Sequence, residues 1–354
     1  MQFFILRLCM RIKRDLLRLF CFRPNNVVTV YRTETLSLNA TEMVENYSQG
    51  TYLEVLDPRS DLLLGHYFNQ RDVFKLKDII LEPKTGAFYS NTGRLISEST
   101  TWLNSQFYNS WPWNARTFVT KLEINDAISL PTNTYGHWLL EDLAPFLYLI
   151  ERFPNSPVLL SKFSSNFVFD LMKFLNKEVV ICNGPVKINS LIMVTKLKDG
   201  GWVHPKDYQI LTKFKENIVG MNYKSEHLIY TSRLNLKRCP KNEMQLQKLF
   251  SEFNFTVITP HDLNFIEQLR LFSSAKIIAG VHSSASLNCI WMPKGGKIFD
   301  IIDENYWTEY LHRAAAIAGV DYTWYLHDKI PQSKEETLQL RNLIIKYVTD
   351  QSSK

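Results

Sequence analysis

Between residues 229 and 302 short β-branched runs alternate with amphipathic ones. A strand-like run at 228–233 is followed by a helix-like run at 242–253, a strand at 255–259 and a helix at 264–273. A strand at 276–280, a helix-like run opened by His282-Ser-Ser-Ala-Ser and a strand at 297–302 complete the series. This is a βαβαβαβ pattern, which predicts a parallel sheet covered by helices on both faces. Sheets of this kind bind ligands at the carboxyl ends of their strands, so the residues to watch are Arg233, His282 and Asp300.

A chain of 354 residues exceeds one ordinary core, so two domains are expected. The formal charge of +6 leaves a mildly basic surface, with no basic stripe beyond the N-terminus of the kind that nucleic-acid binding needs. The five cysteines (Cys9, Cys21, Cys182, Cys239, Cys289) are scattered and include no CxxC pair. They point to neither a disulfide framework nor a zinc site, and fit a reducing compartment.

In residues 1–24, Arg7, Arg11, Arg14 and Arg18 share one face of a helix, with Phe4, Leu8, Ile12, Leu16 and Leu19 largely on the other. That is the pattern of an interfacial helix on an anionic membrane, and equally of an amphipathic helix docked on the protein. Charges interrupt every apolar run short of the ~18 residues a spanning helix needs. No small-residue cleavage site follows, so a secretory signal is not expected.

Residues 25 to about 125 read as strands and turns, at 27–31, 79–82, 87–90 and 118–124, while the Trp/Asn/Ser-rich stretch 102–113 has no clear period. From Pro131 the pattern is helical through Ile150, with Thr132, Asn133 and Thr134 as candidate caps. Strand-like 158–160, helical 166–174 and strands at 178–182 and 188–194 complete a first α/β half. The paired glycines of Lys198-Asp-Gly-Gly mark a linker before a helix at 205–219, and an amphipathic helix at 334–346 closes the chain. The organisation expected is a basic N-terminal helix (1–24), an N-terminal α/β domain (25–200), a C-terminal Rossmann-like domain (201–333), and a helix and tail (334–354).

At His282 a buried strand runs through Gly280 into small hydroxyl residues that begin a helix. Such a junction presents free N–H groups and a positive dipole end to an anion such as phosphate, with Ser283, Ser284 and Ser286 as further donors, or it caps only its own first turn. Arg233, Lys237 and Arg238 lie just past the first strand, where guanidinium groups can grip a pyrophosphate without metal. Asn242 and Gln245 have the spacing of a capping box. Asp300, placed at the end of the 297–299 strand, is where an acid often holds ribose hydroxyls, with Asp303 and Glu304 in the loop beyond.

His137 and Glu141 stand one helical turn apart and share a face, while Asp142 points about 140° away. A carboxylate beside an imidazole at a cleft serves as a general base or as a structural pair. With no third ligand in view, a metal site is not expected. Pro145 should kink or restart the helix at Ala144, leaving 135–142 as a separately aimed segment.

Three segments together resemble glycosyltransferase family 61. They are Asn133-Thr-Tyr-Gly-His-Trp-Leu-Leu-Glu-Asp-Leu-Ala-Pro, then Ile229-Tyr-Thr-Ser-Arg with Arg238 and Asn242-Glu, then 265–282 from Phe265-Ile-Glu-Gln to Gly-Val-His, continuing through Asn288, Met292-Pro and Phe299-Asp. The resemblance covers roughly residues 130–325. It implies an inverting, metal-independent transferase of the GT-B architecture, with two Rossmann-like domains facing a cleft, the nucleotide sugar (UDP-linked) on the second half and the glycan acceptor on the first. By position, Arg233, Arg238 and His282 would hold the diphosphate, beside the Ser283 and Ser284 hydroxyls read above as further donors. Asp300 would contact the nucleoside, Glu141 would be the base, and His137 would orient it. Two departures stand out. Ser283-Ser284-Ala285 replaces the family's usual Gly-Ala-Gly, where glycine permits closer backbone approach to phosphate. Glu141 stands where Asp is usual, lengthening the base by one methylene.

The resulting expectation is sugar transfer from a nucleotide sugar to a glycan hydroxyl in capsular or surface polysaccharide synthesis, by a bacterial-type member of the family. No cofactor beyond the donor is expected, and the location expected is cytoplasmic, at the inner face of a membrane. A rival reading is a non-catalytic nucleotide- or glycan-binding scaffold of a membrane assembly. A dinucleotide oxidoreductase is disfavoured, because no GxGxxG follows any predicted strand.

Overall fold

The computed structural model describes residues 41–48, 51–56, 63–68, 71–83, 86–91, 119–131, 134–194, 201–220, 226–236, 238–303, 308–327 and 334–349. The basic stretch 1–24, the expected strand at 27–31, the segment 102–113, Thr132, Asn133, residues 198–200, Lys237 and Glu304 lie outside the described residues.

The first half contains β1 (Thr41–Ser48), the hairpin β2 (Thr51–Leu56) and β3 (Leu63–Phe68), β4 (Arg71–Glu82), β5 (Ala87–Ser90), β6 (Thr120–Lys121), β7 (Ile128–Ser129), β8 (Val158–Ser161), β9 (Val179–Cys182) and β10 (Val186–Val194). Strands β7, β8 and β9 form a short parallel sheet. Strand β10 does not extend it. It pairs antiparallel with β4, in a sheet ordered β1-β4-β10-β6, and touches the parallel sheet through the Ala127–Leu191 bridge. The reason is length: a parallel crossover needs about a dozen residues, and only 183–185 separate β9 from β10. The first half is therefore mixed α/β, and less Rossmann-like than the sequence reading expected.

Helix α1 (Tyr135–His137) runs through a π-helical turn (Trp138–Asp142) into α2 (Leu143–Arg152). Pro145 has no N–H to offer the Glu141 carbonyl, and its ring crowds that oxygen, so the regular ladder cannot pass through this point. The Leu143 N–H instead reaches Trp138 O, five residues back. The restart expected from Pro145 therefore appears as a π turn around Glu141, a distortion that recurs at functional sites. Helix α3 (Asn166–Phe174) adds Val168, Leu171 and Met172 to the core cluster that holds Val158 and Leu160 of β8. Helix α4 (Pro205–Val219) starts with Pro205 at its first position and with His204 Nδ1 accepting the Lys206 N–H at 3.0 Å.

In the second half β11 (His227–Thr231), α5 (Glu243–Ser251), β12 (Thr256–Ile258), α6 (Phe265–Ser273), β13 (Ala275–Val281), a 3-10 helix (Ser284–Trp291) and β14 (Lys297–Asp303) follow the expected alternation. Helix α7 (Tyr310–Ala318) and strand β15 (Asp321–His327) then add a fifth parallel strand. The sequence reading omitted it, although Gly319 in the left-handed region (φ 67°) followed by an alternating aromatic run is a helix stop and a strand start. The order β12-β11-β13-β14-β15 reverses direction between β11 and β13, and that switch point is where such sheets bind ligands. Helix α8 (Lys334–Thr349) lays Leu340 and Ile344 against Tyr230, Phe250 and Ile277 on one face of the sheet.

The two halves share one core. Trp138 packs on Phe167 (ring centroids 4.7 Å apart) and edge-on to Phe265 (5.0 Å), which in turn meets Trp291 at 6.1 Å. Tyr135 of the first half donates its hydroxyl to Asn288 Oδ1 of the second at 2.7 Å. No helix among the described residues is long and apolar enough to cross a membrane.

Candidate functional site

A cleft of about 330 Å³ opens between α1, the turn that follows β13 and residues 308–311, with Arg238 beside them. Its walls include His137, Arg238, His282, Ser283 and Ser284, five of the eight residues singled out from the sequence. The other three, Glu141, Arg233 and Asp300, stand behind this lining and hold it.

His282 continues β13, its N–H donating to Ile301 O at 2.9 Å. Its Nδ1 lies 2.7 Å from Asp300 Oδ2, and the Thr308 N–H points at its Nε2 from 3.3 Å. A nitrogen that accepts an N–H carries a lone pair, so the ring proton sits on Nδ1 and is donated to Asp300. Asp300 also accepts the Tyr322 hydroxyl at 2.8 Å and is 1% exposed. The residue expected at the nucleoside is thus enclosed, with His282 and Tyr322 as its partners. Strand β14 runs on to Asp303, so Asp300 lies inside the sheet, where its carboxylate serves His282 and Tyr322. Burial, reinforced by the Asp300 charge, pushes the Cys289 thiol up and keeps it an inert core group.

Arg233 is 7% exposed, and its Nη1 donates to the His282 carbonyl at 2.6 Å, bridging the ends of β11 and β13. It is not among the residues that line the cleft, and its guanidinium holds the His282 carbonyl. Glu243 anchors Arg233 in turn: Oε1 accepts the Arg233 N–H at 2.9 Å and Oε2 the Tyr230 hydroxyl at 3.3 Å. Burial, with Glu243 beside it, raises the Tyr230 phenol well above its ordinary range. The capping box expected at Asn242 is not formed, because the Asn242 backbone (φ −104°, ψ 21°) is not extended and its side chain makes no cap bond. The true box is Asn264 with Glu267, at the start of α6. Arg238 is exposed, lines the cleft, and holds a left-handed backbone (φ 66°) that a non-glycine residue adopts at a cost.

Ser283 precedes the 3-10 helix with extended backbone (φ −159°, ψ 161°) and makes no cap bond, and its enclosed Oγ has no partner. The first N–H groups of that helix thus lack a side-chain cap beside Arg238. Gly136 makes the approach of α1 possible: a Cβ there would stand 2.6 Å from Leu287 Cδ1 and 3.5 Å from Ser284 Cβ. Close approach is supplied by a glycine of the opposite wall, where the turn itself has serines.

Across the cleft, His137 Nδ1 lies 2.6 Å from Glu141 Oε1, and the Gly201 N–H donates to the same oxygen at 2.7 Å. A carboxylate only accepts, so Nδ1 carries a proton, and in the neutral ring Nε2 then holds the lone pair. The shared face read from the i, i+4 spacing is present. His137 lines the cleft, while the Gly201 amide draws Glu141 inward, where with Arg71, Ser129 and Asp142 it lines a cavity of about 60 Å³. Gly201, read from sequence only as a linker glycine, is thus part of the site. Its φ of +78° is the signal, and that appears only in the folded chain. Thr308, Tyr310 and Leu311 of the second half also line the cleft, and no sequence motif marked them. Among the described residues no group of three or more His, Cys, Asp or Glu is placed to hold a metal ion.

Two comparisons with known proteins bear on this geometry. Residues 135–299 match the family model described as Glycosyltransferase 61. The chain is also similar to the protein O-linked-mannose beta-1,4-N-acetylglucosaminyltransferase 2 of Xenopus laevis, 24% identical over 252 residues that cover 58% of this chain. The matched part is 43% of that relative, so the chain spans less than half its length.

Proposed function

We propose that this chain, whose residues 135–299 match the Glycosyltransferase 61 model, is a glycosyltransferase that moves a sugar from a UDP-linked donor to a sugar hydroxyl with inversion and without metal. The observation that carries this reading is the pair of carboxylate-backed imidazoles, His137 and His282, that line one cleft together with Arg238. In the proposed reaction the acceptor oxygen attacks the anomeric carbon as its proton passes to His137 Nε2, and the bond from that carbon to the diphosphate oxygen breaks. Glu141 holds the imidazole and stabilises the imidazolium that forms. The departing diphosphate is met by Arg238, by the Ser283 and Ser284 hydroxyls and by the open N–H groups beside them, donors preorganised for charge that develops only as the bond breaks. Arg233 and Asp300 keep His282 in place. The architecture proposed is GT-B-like, with the donor on the second half.

For the acceptor there are two readings. One is a glycan of a surface polysaccharide. The other, favoured by the likeness to the Xenopus enzyme, is an O-linked mannose receiving N-acetylglucosamine, for which a β linkage made from an α-linked donor is an inversion. A panel of UDP-sugars against mannoside and oligosaccharide acceptors, with and without EDTA, tests these readings together. Turnover insensitive to EDTA is expected. His137→Gln and Glu141→Gln should each lose about 10²-fold or more in kcat, and near wild-type turnover in both would sink the assignment. Binding of residues 1–24 to anionic membranes belongs to the same proposal. It fails if a chain lacking them pellets with anionic vesicles as well as the full chain does.

A further inference from the structure

The start of α7 touches both imidazoles, although none of its residues belongs to a motif. Thr308 meets His282 Nε2, with its N–H at 3.3 Å and its Oγ1 at 3.1 Å. Two residues on, the Tyr310 ring meets His137 edge-on, with centroids 5.1 Å apart and planes at 82°. The same tyrosine ring covers Gly201 so closely that a Cβ there would stand 2.0 Å from Tyr310 Cδ1 and 2.2 Å from Cε1. Gly201 is the residue whose N–H holds Glu141. The anchorage of this turn is double, because Arg313 pairs with Glu309 and lies over the Trp202 ring at 4.5 Å.

We propose that Tyr310 is a positioning residue for the transfer reaction. Its ring fixes the plane of the His137 imidazole on one side and seats Gly201 on the other, so that both hydrogen bonds to Glu141 Oε1 are kept while His137 faces the cleft. The inference rests on the proposed role of His137. A ring in van der Waals contact restricts the imidazole to one orientation, and displacement of a proton acceptor by about 1 Å is enough to cost about 10²-fold in rate. The contacts that do this are made by ring carbons, so phenylalanine should serve as well as tyrosine.

Two measurements on the full chain test the idea. In imidazole ¹H–¹⁵N spectra, with the His137 signals identified by their loss in His137→Gln, those signals should shift in Tyr310→Ala and Tyr310→Leu and stay in place in Tyr310→Phe. With the UDP-sugar and acceptor turned over fastest in the panel above, Tyr310→Ala and Tyr310→Leu should lose about 10–10²-fold in kcat, with KM for the donor within about threefold of wild type. Tyr310→Phe should retain at least half of kcat. In a His137→Gln background the further loss from Tyr310→Ala should fall below about twofold, since a residue acting through another has nothing left to act on. An undiminished loss in that background, a Phe variant as poor as Ala, or unmoved His137 signals in Tyr310→Ala would overturn the inference. Full turnover by His137→Gln would instead bring down the base assignment on which it rests. If no donor in the panel is turned over, the spectra alone decide.

Discussion

Asp300→Asn probes the donor side at its foundation. Oδ2 of Asp300 takes two hydrogen bonds, from His282 Nδ1 at 2.7 Å and from the Tyr322 hydroxyl at 2.8 Å, while Oδ1 is enclosed without a partner. Asparagine has the same shape. Its amide oxygen can occupy the Oδ2 position and still accept both bonds, with the NH₂ taking the empty Oδ1 place. What disappears is the charge. Hydrogen bonds to charged groups contribute about 1.5–3 kcal/mol and neutral ones about 0.5–1.5 kcal/mol, so the hold on His282 weakens by about 1–1.5 kcal/mol. If His282 orients the donor site, that loss appears as a Kd for UDP raised about tenfold. Titration calorimetry with UDP on the folded variant measures it. Tyr322→Phe is the control: it removes the other bond to Oδ2 without touching the imidazole, and UDP affinity should stay within about twofold of wild type. An Asp300→Asn variant that binds UDP like wild type refutes the reasoning. So does a Tyr322→Phe variant as weak as Asp300→Asn, because the effect would then come from packing and not from His282.

Other perturbations test how the site is framed. Tyr135→Phe deletes the hydroxyl that ties the halves together at Asn288, whose side chain is fully buried, and should lower the unfolding free energy in urea by about 1–3 kcal/mol. Burial holds the Tyr135 phenol well above its ordinary range, so this contribution should persist through mildly alkaline pH. Gly280→Ala would put a Cβ 2.3 Å from Thr231 Oγ1 and 3.0 Å from Thr231 O, backbone that cannot step aside, and should destabilise by about 1–3 kcal/mol in the same assay. Asp126, bonded to Lys75 and then to Ser190, has its carboxyl held below the usual 3.8. A depressed carboxyl stabilises the fold above its unfolded value and loses that contribution as pH falls through the folded one. The stability gap between wild type and Asp126→Asn should therefore be constant above about pH 5 and close below the ordinary carboxylate value, as chemical unfolding across pH 2–7 would show.

The second half was legible because its pattern is local. Periods of two and of 3.6 residues name strands and helices, and the alternation of the two leaves a parallel sheet as the economical solution. The same holds for the helix at Pro205–Val219 and for His137 and Glu141, whose one-turn spacing sets a shared face before any tertiary contact forms. Where the sequence reading went astray, a distant partner had intervened. β10 looked like one more parallel strand until β4 paired with it, and Asn242 had cap spacing without a cap's backbone.

Arg233, Arg238, His282, Asp300 and the His137–Glu141 pair could all be picked from residue type and place along the chain, since strand ends and helix starts are set by local pattern. Which of them face the ligand could not. That depends on contacts across long sequence separations: the Gly201 amide that turns Glu141 inward, the His282 carbonyl that engages Arg233, and Tyr322, whose hydroxyl meets Asp300. The sequence by itself determined which chemical groups the site contains and on which elements they ride. Only the tertiary structure decided their order of depth, with imidazoles at the surface of the cleft and carboxylates beneath. A buried carboxylate goes where donors are, and its donors come from residues that no local period relates to it.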